Sequence, residues 1–121
     1  MLIGALQIEI EIPGAMSLKD KRSVVKSIKD SCHRHHMVSA SEIGAQDVWN
    51  RSILGFAMTG VNGATIGAVL DRVTQRVAST PGCEIIDTTR SIAHVNDLSV
   101  SDEIDTGSID DEIRLYAKEI A

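Results

Sequence analysis

From Leu2 to Ile12 apolar and polar residues alternate, and beyond Pro13-Gly14 the apolar period lengthens from two to between three and four. A chain that switches period in this way passes from a half-buried strand to a helix with one apolar stripe. Leu6, Ile8, Ile10 and Ile12 form the buried face of the strand, and Gln7, Glu9 and Glu11 the other. Ser17 followed by Asp20 has capping-box spacing, so the helix opens there. It carries Leu18, Val25, Ile28 and Cys32 inward and runs to about His35. The same switch then recurs. Met37 to Ile43 reads as a short strand, Gly44 to Asn50 as a polar link, and RSILGFAMTG from Arg51 as a second strand. Asn62 is the N-cap of a helix with Ile66, Val69, Leu70, Val73 and Val77 on one face, ending near Pro81-Gly82. Residues 83–95 return to β character with no clear facing. The order is β-α-β-β-α-β. Two such halves predict an α+β, ferredoxin-like sandwich, a four-stranded antiparallel sheet with both helices on one face.

That fold demands a core, and 43% hydrophobic content in 121 residues suffices for one, although Trp49, Phe56 and Tyr116 are the only aromatics. Charge divides the chain. Residues 1–95 hold ten Lys/Arg against nine Asp/Glu, whereas 96–121 hold eight acids against Arg114 and Lys118, so the net −5 belongs to the second segment. Residues 1–95 are therefore expected to be the ferredoxin-like domain. Residues 96–121 are expected to form an acidic linker and a short amphipathic C-terminal helix. Within that helix Ser108 and Asp111 repeat the capping spacing, and Ile109, Ile113, Tyr116 and Ile120 recur at helical intervals. No apolar run has the length of a membrane helix, and the alternating, acid-bearing start is unlike a signal peptide. The expectation is a cytoplasmic protein with Cys32 and Cys83 as thiols.

Two motifs carry a resemblance. Residues 12–29, IPGAMSLKDKRSVVKSIK, and the run Ser41-Glu42-Ile43 through Gln46-Asp47-Val48-Trp49-Asn50-Arg51 are similar to the YlxP-like family of small bacterial domains of unknown function. The resemblance covers about residues 1–95 and implies the ferredoxin-like fold. It also implies a setting near ribosomes or RNA, since the family is often encoded beside translation and ribosome-maturation genes. It supplies no catalytic set. Gly44-Ala45 departs from it, standing where relatives often have Asp-His.

On the first helix Lys19, Arg22, Lys26, Lys29, His33 and His36 follow steps of three and four, a stripe along one face with Lys21 and Arg34 beside it. A row of cations of this kind can track phosphates, with a steep salt dependence. Lys19, Arg22, Lys26 and Lys29 are thus the candidate RNA- or anion-binding residues, and an ordinary solvated helix face is the competing reading. LGFAM at 54–58 shares Gly-Phe-Ala with an RNA-recognition-motif strand, but Leu54, Met58 and Val61 replace that motif's basic residue and further aromatics. Phe56 is expected in the core. The opposite sheet face presents Ile3, Ala5, Ile53, Gly55 and Ala57, a small apolar centre that invites a cover: the C-terminal helix, or a second chain in a homodimer. Trp49, Ile53 and Ala57 are the candidate partner contacts. Trp49 otherwise lids one end of the core, and Glu42 and Arg51 are expected to pair across the strands.

Cys32, His33, His35 and His36 form the densest group of ligand-type side chains, but Cys32 lies on the apolar stripe and last-turn histidines suit the helix dipole. No metal and no cofactor are expected. Gly60-Val61-Asn62-Gly63 lacks the lysine of a phosphate loop, and no GxSxG or HExxH occurs. The expectation is a non-catalytic accessory protein that binds RNA or a ribosomal surface. The alternative is a homo-oligomeric interaction or small-ligand regulatory domain using the open sheet face. No role on DNA or at a membrane is expected.

Overall fold

The computed structural model describes residues 1–98. It contains β1 (Leu2–Glu11), α1 (Leu18–His36), β2 (Ser39–Gly44), β3 (Arg51–Gly60), α2 (Gly63–Ala78), β4 (Glu84–His94) and a 3₁₀ turn at Val95–Asp97. The strands form one antiparallel sheet in the order β2-β3-β1-β4, with both helices against the same face, which is the ferredoxin-like arrangement. The expected C-terminal helix lies outside the described residues.

The alternation in β1 is realised as read: Leu6, Ile8, Ile10 and Ile12 are buried. Leu54 and Phe56 of β3 stand beside them, opposite Ile8 and Leu6, and confirm Phe56 as core. Val25, Ile28 and Cys32 of α1 and Ile66, Leu70, Val73 and Val77 of α2 close the layer from above. Capping also follows the sequence, since Ser17 Oγ accepts from the Asp20 amide at 3.2 Å. The Asp20 carboxylate reaches back to the Met16 amide at 3.0 Å, one residue before the cap itself. Asn62 caps α2 by accepting from Thr65 N. Gly4 is set by close approach: a Cβ there would lie against Ile66 Cγ2 at less than contact distance, so α2 sits directly on the β1 backbone.

The uncertain facing of β4 has a physical cause. Glu9 pairs with Asp87 and the next residue, Ile10, with Ile85, so Ile86 is an extra, bulged residue. The bulge reverses the parity of the strand. Ile85 and Ile92 both pack on the core despite their odd separation, and Ile86 is exposed. Arg90 lies on the helix side, where it donates to Gly67 O and to the Asp71 carboxylate.

Candidate functional site

Along α1 the residues at steps of four, three and four that face the sheet are Lys21, Val25, Ile28 and Cys32. Lys21 is the exception in chemistry, being 1% exposed. Its ammonium donates to Ala45 O at 2.7 Å, Gln46 O at 3.0 Å and Arg51 O at 3.3 Å, and pairs with the Glu42 carboxylate at 3.2 Å. Ser52, fully buried on β3, donates to the same carboxylate. Each buried side-chain polar atom of this cluster has a partner, as burial requires. Two expectations are corrected by it. Lys21 does not belong beside the surface stripe, because its position on the inward face buries it. Glu42 does not pair with Arg51, because Glu42 points towards α1 while Arg51 stands with Glu9 at 3.9 Å.

Lys21 thereby anchors the link between β2 and β3. The link begins at Ala45 with φ 55°, a left-handed conformation that costs a non-glycine residue energy, and the Ala45 carbonyl is the atom Lys21 holds most closely. Here the chain departs from the family resemblance at Gly44-Ala45. A Cβ at Gly44 would lie 2.9 Å from Ile53 Cδ1, so any larger residue there requires the end of the Ile53 side chain to move. Trp49, at the far end of the link, is 46% exposed and does not lid the core.

Above this staple the predicted cations come together. Arg22, Lys26 and Lys29, with Asp30 and Glu42, line a groove of about 340 Å³ whose floor holds Val25 and Lys21. The groove lies along α1 next to β2, the strand at that edge of the sheet. Lys19 is exposed on the same helix, one turn before Arg22. Lys26 pairs with Asp30 at 3.2 Å, but with side chains 77% and 57% exposed that pair contributes little and yields readily to a competing anion. The two histidines that continued the stripe are engaged elsewhere. His33 Nδ1 lies 3.0 Å from Val38 O, and His36 Nε2 accepts from Arg76 Nε at 2.8 Å. Burial, and then the Arg76 charge, lower the pKa of His36 from its ordinary value. Cys32 beneath them is pushed up to about 11 by burial, with Arg76 opposing, so it is a thiol rather than a ligand-ready thiolate.

The opposite face of the sheet carries a second feature. Ala5, Gly55 and Ala57 floor a shallow trough of about 400 Å³, with Ile43 on one side and Thr89 and Ser91 on the other. Ile43 leans over Gly55, where a Cβ would meet it at 3.0 Å. Of the three predicted partner contacts, Ala57 lies in this trough and Ile53 on the same face beyond it; Trp49 does not line it.

Sequence reasoning missed the Lys21 cluster and the Arg76–His36 contact. A signal for the first was present, since residue 21 falls in register with the apolar positions 25, 28 and 32.

A family model and one curated relative match the chain. The family model described as "Protein of unknown function (DUF503)" matches residues 3–90. "Uncharacterized protein YlxP" of Bacillus subtilis (strain 168) is 37% identical over 83 residues, covering 69% of this chain and 90% of that one. Among solved structures, a de novo designed protein with ferredoxin fold matches with a TM-score of 0.48 and 15% identity, over 85% of this chain and 95% of its own. No helix among the described residues is long and apolar enough to cross a membrane.

Proposed function

The chain belongs to the DUF503 family of proteins of unknown function, and from that footing we propose that it is a non-catalytic accessory protein that binds the phosphate backbone of RNA along α1. The observation that supports this reading is the groove of Arg22, Lys26 and Lys29 beside the edge strand, with Lys19 extending the row. Buried Lys21 pairs with Glu42 from below, so one of the two carboxylates that line the groove is already neutralised. The cations above it face water, and among the described residues the exposed Asp30 is the one that competes for them with a salt bridge. Phosphate contacts of this kind position a nucleic acid without reading its bases. Phe56, the aromatic of the LGFAM strand, is 2% exposed and leaves no stacking platform there. Affinity is therefore electrostatic and sequence specificity low. The ribosome-maturation setting implied by the family resemblance makes structured ribosomal RNA the substrate to try, and a cytoplasmic location accompanies it.

The test is titration of labelled ribosomal RNA fragments with the full chain and with a Lys19/Arg22/Lys26/Lys29→Ala variant, with circular dichroism as a check on folding. Neutralising four phosphates predicts that affinity falls about 50- to 150-fold between about 50 and 200 mM salt. The variant should lose that binding. Equal binding by both proteins, or none by either, refutes the assignment of RNA binding to this helix.

A further inference from the structure

We propose that the trough on the open sheet face is the seat of the chain's own C-terminal segment, the stripe Ile109, Ile113, Tyr116 and Ile120. This surface lies across the sheet from α1 and is independent of the RNA reading.

The shape of the trough argues for a ridge rather than a second sheet. Its floor is made of Ala5, Gly55 and Ala57, the smallest side chains available, and Ile43 rises at one margin. Two copies meeting face to face would set hollow against hollow and leave a void between them, which close-packed interfaces avoid. A single row of large side chains at helical spacing fills such a hollow.

The path of the chain places that row within reach. β4 ends at His94, paired with Leu2, and Val95 N donates to Met1 O, so the described chain ends beside the start of β1. Ala5, at the centre of the trough, is three strand residues from Leu2, roughly 10 Å away. Residues 99–108 precede the stripe, and ten residues extend up to about 35 Å, ample for a turn back onto the sheet. From Ile109 to Ile120 a helix spans about 17 Å, comparable with the roughly 15 Å breadth of four strands. The acids of the segment, Asp110, Asp111, Glu112 and Glu119, fall between the stripe positions and would remain in water.

The experiment uses the full chain carrying Ala57→Cys, whose new thiol lies in the trough, while Cys32 and Cys83 are buried and serve as internal reporters of an intact fold. Maleimide labelling of residue 57 is compared with that of the same protein bearing Ile113→Asp and Tyr116→Asp. The expected result is labelling roughly tenfold slower without the aspartates than with them. That protection should be constant over a roughly hundredfold range of protein concentration, as an intramolecular contact requires. Equal labelling rates in the two proteins overturn the proposal. Protection that grows with concentration and survives the aspartates also overturns it, and identifies a second copy as the occupant.

Discussion

Replacing Lys21 with methionine keeps the length of the side chain and removes its charge, and the structure sets the scale of the consequence. Three carbonyls, of Ala45, Gln46 and Arg51, lose a charged donor, and Glu42 loses its counter-ion. Removing one member of a buried ion pair costs about 3–5 kcal/mol. Glu42 keeps the Ser52 hydroxyl and is 19% exposed, so water reaches it and the lower end, about 3 kcal/mol, is expected. For a domain of this size that loss lowers Tm by about 12–24 °C. Urea denaturation gives the free energy, and a double-mutant cycle with Glu42→Gln isolates the pair, with a coupling above about 1 kcal/mol expected. Because Lys21 holds the β2–β3 link, quenching of Trp49, the sole tryptophan, by iodide should rise in the variant before the unfolding transition begins. A loss below about 1 kcal/mol, or simple additivity of the two substitutions, refutes the view that this buried lysine organises the link.

Gly4→Ala should cost about 1–3 kcal/mol by driving a methyl into Ile66 Cγ2, and Ile66→Ala, which removes that atom, should cost less in the Gly4→Ala background than alone; thermal melts of the four proteins decide. Ala45→Gly should stabilise by about 0.5–1 kcal/mol, because relief of the left-handed strain at φ 55° exceeds the added entropy of the unfolded glycine; an unchanged or lower urea midpoint counts against strain there. His36 accepts from Arg76 only when neutral, and its pKa is lowered on folding, so the unfolded chain binds more protons. Stability from this residue is thus fully present above pH 6.5 and is lost as pH falls through its folded value. His36→Gln should flatten that slope, and an identical pH profile in both proteins would dismiss the contact.

Much of the fold was legible because period and capping are local. The alternation of Leu6, Ile8, Ile10 and Ile12, the stops at Pro13-Gly14 and Pro81-Gly82, and the caps at Ser17 and Asn62 are each decided by residues within a few positions of one another. The facing of β4 was not legible, because the bulge at Ile86 is imposed by pairing with β1, some 75 residues earlier in the chain. The candidate site divides in the same way. The steps between Lys19, Arg22, Lys26 and Lys29 set a cationic row in any helix, and the sequence alone determined that the row exists. Only the tertiary structure placed the row along a groove at the sheet edge, turned His36 to Arg76, and buried Lys21 under the link that Ala45 begins. An ammonium on the inward face of a helix can be satisfied only by carbonyls and a carboxylate from distant strands, and which groups arrive there depends on how helix and sheet pack.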